Sequence, residues 1–154
     1  MDKTTPSSPL KFTLRNAKED DYKLAKRLYI QTMKPLLMKF DAWDEVAVMA
    51  RFDRYYETDE VKVVVIYGRD AGWFQVAENE HELELAQIHI KHKYCAQGIG
   101  TQLIREIMNE AHSKGKSVFL SVVRGNIALS LYRRLGFVIV DEDEHKLHMR
   151  WDGD

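Results

Sequence analysis

Residues Tyr94 to Thr101 read Y-C-A-Q-G-I-G-T. Two glycines flank one isoleucine, and the residues Ile99, Leu103, Ile104, Ile107, Met108 and Ala111 then recur at helical spacing. A glycine turn that opens an amphipathic helix is suited to hold an anion. The first amides of a helix lack intrahelical acceptors, the helix dipole is positive there, and glycine lets a ligand approach the backbone. Two phosphate-binding patterns fail at this position. A P-loop needs Lys-Ser or Lys-Thr after the second glycine, where this chain has Thr101-Gln102. A dinucleotide fold needs a third glycine where Leu103 stands, and an early turn in a parallel sheet. A pyrophosphate pocket and a plain strand-to-helix turn remain.

Working outward, Leu83 to Ile90 precedes the turn as a strand, and Gly115 closes the helix after it. Upstream, Leu10 to Leu14 alternates as a first strand, and Asp20 and Asp21 open a helix that Pro35 interrupts or restarts. Asp44 to Tyr56 is a second helix, and the β-branched run Val61 to Tyr67 a strand. Gly68 to Gly72 is expected to turn it back into Trp73 to Ala77. Downstream come a strand over Val118 to Val123 and a helix over Asn126 to Leu135, with Asn126 as its cap and Gly136 its stop. Phe137 to Val140 and Leu147 to Trp151 form a closing hairpin around D-E-D-E-H, with Lys146, His148 and Arg150 on one face of the last strand. The order β-α-α-β-β-β-α-β-α-β-β predicts a mixed α/β (α+β) domain. Its central sheet is mostly antiparallel and flanked by helices.

The 154 residues suit a single domain over 1–154, with 1–9 as a loose polar tail. A net charge of -1 argues against a dominant nucleic-acid footprint. No apolar run approaches a membrane span and the N-terminus lacks a signal-peptide core, so a cytoplasmic protein with no membrane partner is expected. One cysteine excludes an intrachain disulfide and fits a reducing compartment.

A second motif, R-G-N-I-A-L-S-L-Y-R-R-L-G-F from Arg124 to Phe137, separates the two readings of the turn. Cys95-Ala96-Gln97-Gly98-Ile99-Gly100, followed by Asn126 and then by Leu131-Tyr132 and Gly136-Phe137, resembles the GNAT superfamily of acetyl-CoA-dependent N-acetyltransferases. In that family Gln/Arg-x-x-G-x-G/A opens the long helix, and an Asn later precedes a helix ending in L-Y-x-x-x-G-F. The element order fits over essentially the whole chain. Here Cys95 replaces the usual Gln or Arg, Ala96 a customary glycine and His92 a common proline. Cys95 reads as a small loop residue or, at a helix N-terminus, as a reactive thiol.

The resemblance implies acetyl-CoA as co-substrate, with no metal, and an amine acceptor. It implies a pyrophosphate site at Cys95, Ala96, Gln97, Gly98, Ile99, Gly100 and Thr101. The pantetheine arm would meet the backbone of Ile88, His89 and Ile90 and the side chain of Asn126. Tyr132 would sit beside the cofactor sulfur as donor to the leaving thiolate. On periodicity, Leu131 and Leu135 supply the buried stripe of that helix and leave Tyr132 on another face. Glu84 stands where some members carry a glutamate base, with His89 and Gln87 as the competing set. Strand alternation puts Glu84 opposite those two unless a bulge intervenes. Arg105, Arg133 and Arg134 are a solvated face or a contact for the adenosine 3′-phosphate.

The acceptor site is expected between the first two helices and the sheet. There Tyr29, Met33, Phe40, Trp43, Phe52, Tyr55 and Tyr56 are aromatic-rich core, and Asp41, Asp44, Glu45 and Asp53 are possible attractants for a cation. A non-catalytic CoA-binding module and an enzyme using a longer acyl-CoA are the alternatives. A homodimer stays open.

Overall fold

The computed structural model describes residues 11–153. The expected tail and Leu10 lie outside them. Among the described residues run seven strands and four α-helices. They are β1 (Thr13–Asn16), α1 (Asp21–Met38), α2 (Glu45–Tyr55), β2 (Val61–Ile66), β3 (Arg69–Glu78), β4 (Glu82–Ile90), α3 (Ile99–Ser113), β5 (Ser117–Val123), α4 (Ala128–Arg134), β6 (Val138–Glu142) and β7 (Lys146–Trp151). The strands form one sheet in the order β1-β2-β3-β4-β5-β7-β6. Only β4 and β5 pair in parallel; every other neighbour is antiparallel.

Helices cover both faces. Leu103, Ile104 and Ile107 of α3 pack with Leu83, Leu120 and Met149 in the main core. The six residues at helical spacing in α3 are all buried. Ala25, Leu28 and Tyr29 of α1 and Phe52 of α2 pack on the opposite face around Trp73, whose indole N–H donates to Ala25 O at 3.1 Å. Fully burying a side chain of this size contributes roughly 1.5–3 kcal/mol, so each face has its own reason to hold its helix pair.

Three local expectations shift. β1 begins at Thr13, later than the alternating run from Leu10, because its ladder with β2 ends at Thr13↔Val65, and within it Arg15 is tied down. Its guanidinium donates to both Asp21 oxygens at 2.8 Å and to Asp70 at 3.1 Å. Pro35 lies inside α1, which continues unbroken to Met38. The β2–β3 turn is only Tyr67-Gly68, both at positive φ (52° and 75°), and pairing resumes at Ile66↔Arg69. That is the geometry of a tight primed hairpin turn. Gly72 belongs to the strand. A Cβ there would lie 2.5 Å from His89 O, so glycine is needed for β3 to approach β4.

Candidate active site

β4 and β5 are paired from Glu82↔Ser117 to Leu85↔Leu120. Beyond that point they part, and a cavity of about 420 Å³ opens between them. Leu85 to His89 line one wall, Leu120 to Val123 the other, with Asn126 and Tyr132 at one side. The edge of β4 past Leu85 therefore presents N–H and C=O groups with no strand to pair with. Ile88 and Ile90 turn their side chains into the main core, so they offer the gap only backbone.

The β3–β4 pairing jumps from Gln75↔Gln87 to Val76↔Leu85 and leaves Ala86 as an extra residue. One inserted residue reverses the face taken by every side chain beyond it. Glu84 pairs with Ala77, Gln87 with Gln75 and His89 with Trp73, alternate residues of β3. Glu84, Gln87 and His89 thus share the face covered by α1 and α2. A second cavity of about 840 Å³ lies on that face, reaching Glu84, Gln75 and the β6–β7 hairpin. Tyr29, Arg51, Gln87 and Lys146 line both cavities, which makes them one continuous groove.

The glycine turn stands at the far end of β4. Gly98 caps α3 with φ 85°, and Ala96 takes φ 62° where a side chain costs about 1–2 kcal/mol. The first amide of the helix with a backbone acceptor is that of Gln102, on Gly98 O at 3.1 Å. A Cβ at Gly100 would meet nothing within 4 Å, so the approach to these amides is open. Gln97 Nε2 donates to Lys93 O at 3.0 Å, and the Cys95 thiol lies 3.6 Å from both Ile90 O and Lys91 O. These bonds steady the loop in place of a longer side chain at position 95. Burial pushes the Cys95 thiol up, opposite to the activation a helix N-terminus would bring.

Tyr132 is the buried residue of α4, 5% exposed, with its ring tilted against Phe137 at 5.9 Å. Leu131 and Leu135 are only partly buried against the core. The periodic stripe therefore misjudged the helix: α4 has seven residues and packs chiefly through the tyrosine. Burial raises the phenol to about 12. Its hydroxyl has no hydrogen-bond partner among the described residues and the side chain lines the cavity. The N-cap of α4 is Ile127, without a side-chain bond, in place of the expected Asn126, whose Oδ1 instead accepts from Ala128 N at 2.9 Å in a turn one residue earlier.

Burial, reinforced by Glu82 and Glu60, raises the Glu84 carboxyl above its ordinary value. His89 is a different case. Nδ1 lies 2.5 Å from Thr32 Oγ1 and Nε2 lies 2.6 Å from Gln87 Oε1. The Thr32 hydroxyl also reaches Tyr29 O at 3.2 Å, so the hydroxyl and the Gln87 amide together engage both ring nitrogens. Burial pushes the imidazole down to about 3. With both nitrogens engaged, His89 has none free for a substrate, and it holds the Gln87 amide in position.

Of the other expected groups, Tyr29 and Phe52 are buried, Tyr55 is exposed, and both tyrosines line the groove. Asp44 caps α2 by accepting from Ala47 N. Asp53 is held by Tyr22 and Lys26. Arg105, Arg133 and Arg134 are exposed. Arg51, Thr32 and Lys146 escaped the sequence reading. Lys146 was readable only as part of a polar strand face, and in a sheet covered on both sides that face looks into the groove.

A family model described as an acetyltransferase (GNAT) domain matches residues 55–139, more than half of the chain. The probable N-acetyltransferase san of Drosophila melanogaster is 37% identical over 70 residues, 44% of this chain. The match spans only 38% of that relative's length. PaiA N-acetyltransferase from Thermoplasma acidophilum, solved in complex with coenzyme A, superposes with a TM-score of 0.74 at 16% identity. The match covers 94% of this chain and 100% of that one. Arabidopsis thaliana Naa50 in complex with the bisubstrate analogue CoA-Ac-MVNAL gives 0.66 at 14% identity, over 91% of this chain and 97% of that one. At such identities the two structures establish a shared fold.

Proposed function

The chain belongs to the acetyltransferase (GNAT) family, and from that premise we propose that it transfers an acetyl group from acetyl-CoA to a primary amine. The observation that carries the reading is the parting of β4 and β5 past Leu85 and Leu120, at a cavity lined by Tyr132 and Asn126. An extended thioester arm fits such a gap, bonding with the free strand edge at Ile88, His89 and Ile90 and with the Asn126 amide. The amides of Gln97, Gly98, Ile99, Gly100 and Thr101 hold the pyrophosphate, with Cys95 and Ala96 shaping its approach.

The acceptor enters on the α1–α2 face. Its nitrogen attacks the thioester carbon, the C–N bond forms, and the C–S bond breaks. Glu84, with its raised pKa, takes the proton the amine loses, directly or through water. Tyr132 donates to the departing sulfur, where negative charge collects. His89 and Thr32 fix Gln87 at the wall between the two.

A thermal-shift titration with acetyl-, propionyl- and succinyl-CoA, followed by thiol release over a panel of amines, tests the proposal. Acetyl-CoA binding with release for at least one amine is the expected result. Binding without release for every amine would make the protein a CoA-binding module, and a preference for a longer chain would change the acyl donor.

A further inference from the structure

Where the two cavities join, Tyr29 of α1, Arg51 of α2, and His145 and Lys146 at the start of β7 face one space. The acids nearest these cations in sequence are engaged by other groups, Glu144 lying 3.8 Å from His145 Nε2. Asp53 is paired with Lys26, and Asp143 accepts from the amides of His145 and Lys146 and lies 3.1 Å from His148 Nε2. Asp44 caps α2. Among the described residues neither Arg51 nor Lys146 forms an ion pair. The Tyr29 hydroxyl has no partner there either, and His145 Nδ1 is buried without one.

The cost of this arrangement is visible. Burial, and then the Arg51 charge, lower the Lys146 pKa, and Asp143 offsets only part of that. Arg51 is also close enough to Tyr29 to oppose the effect of burial on its phenol. A half-buried lysine beside a second cation, with neither held in an ion pair, is an arrangement that favours an added anion. The pyrophosphate is not that anion. The glycine turn opens α3, which packs on the opposite face of the sheet from α2.

We propose that Arg51, Lys146 and the Tyr29 hydroxyl form a carboxylate-binding subsite, and that the acceptor is a compact primary amine carrying a carboxylate. This rests on the acetyltransferase reading above. The guanidinium offers a planar fork and the ammonium a point charge, a pair that would grip one carboxylate from two walls of the groove. The amine is then turned toward Glu84 and the gap between β4 and β5. A polyamine would meet repulsion at Arg51 and Lys146 themselves, and its counterparts would be Glu57, Glu60 and Glu84 further along the groove.

Thiol release with acetyl-CoA, run on free amino acids, their carboxamides and a diamine, tests the subsite. Wild-type kcat/KM for an amino acid should exceed that for its carboxamide by at least about tenfold, carried mainly in KM, as suits a charge-assisted hydrogen bond. Lys146→Met should bring that ratio toward one, and Arg51→Gln should do the same if the first variant fails to fold. Carboxamides or the diamine matching the amino acids in the wild type would overturn the proposal. A peptide amide whose one carboxylate is the side chain of its second residue forms the last arm. Preference for it over free amino acids would keep the anion subsite and overturn the compact acceptor. Should no amine be acetylated, the transferase reading fails, and binding of an N-acetyl amino acid still reads the subsite. Equal affinity in wild type and Lys146→Met would then overturn it.

Discussion

Replacing Tyr132 by phenylalanine removes one oxygen from a buried ring and leaves its packing intact. The hydroxyl has no partner among the described residues, so no hydrogen bond of the unliganded protein is lost, and the melting temperature should scarcely move. The rate should fall, and the structure sets by how much. A phenol at about 12 is a weak acid beside an ordinary thiol near 8.5. Full proton transfer to the leaving sulfur is uphill by about 3.5 pK units, or roughly 5 kcal/mol. Hydrogen-bond donation to the developing charge has no such penalty. Losing one donor of that kind costs about 10²–10³ in turnover, or roughly 3–4 kcal/mol. Because the phenol stays protonated below about pH 12, the deficit should be constant from pH 6 to 9. Stopped thiol-release assays at saturating acetyl-CoA measure it, and a thermal titration checks that acetyl-CoA still binds. Tyr132→Ala, by contrast, should destabilise by about 3–5 kcal/mol through the lost ring. Turnover within threefold of wild type in Tyr132→Phe would refute the donor role and leave the tyrosine as packing alone.

Gly100→Ala meets no atom within 4 Å and sits in the first turn of α3. It should stabilise the unliganded protein by up to about 1 kcal/mol while reducing the acetyl-CoA-induced shift in melting temperature; an undiminished shift would move the pyrophosphate elsewhere. Glu84→Gln should lower the rate most at neutral pH, and the deficit should shrink as pH rises toward the acceptor's own pKa; a deficit that grows with pH would argue against proton abstraction by this carboxylate. His89 is neutral in the fold and titrates near 3, well below its unfolded value of 6.5, so the unfolded chain binds the extra proton between them. Its stabilising contribution is present above pH 6.5 and fades by about 1.4 kcal/mol per pH unit as pH falls toward 3. His89→Gln should therefore flatten the melting-temperature profile between pH 6.5 and 4 relative to wild type, and identical slopes would remove that assignment.

The element order, the buried face of α3 and the paired motifs around Gly98 and Tyr132 were legible in the amino-acid sequence. They depend on contacts between residues a few positions apart: helical spacing, alternation, caps and glycine turns. Long-range register was not legible. The sequence could not show that the ladder between β1 and β2 would end at Thr13↔Val65, which sets where β1 begins, nor that Arg15 would meet Asp70. Nor could it show that Ala86 would be the extra residue in β4, since a bulge exists only relative to the partner strand. That one insertion brings Glu84 to the face of Gln87 and His89, which strict alternation keeps apart. The polar face of the last strand was correctly read as Lys146, His148 and Arg150, yet its surroundings were not. Polarity tells which side of a strand avoids the apolar core. Whether that side meets bulk water or the wall of a groove depends on a helix that lies about a hundred residues away in the chain, and only the packed structure brings Arg51 and Lys146 together.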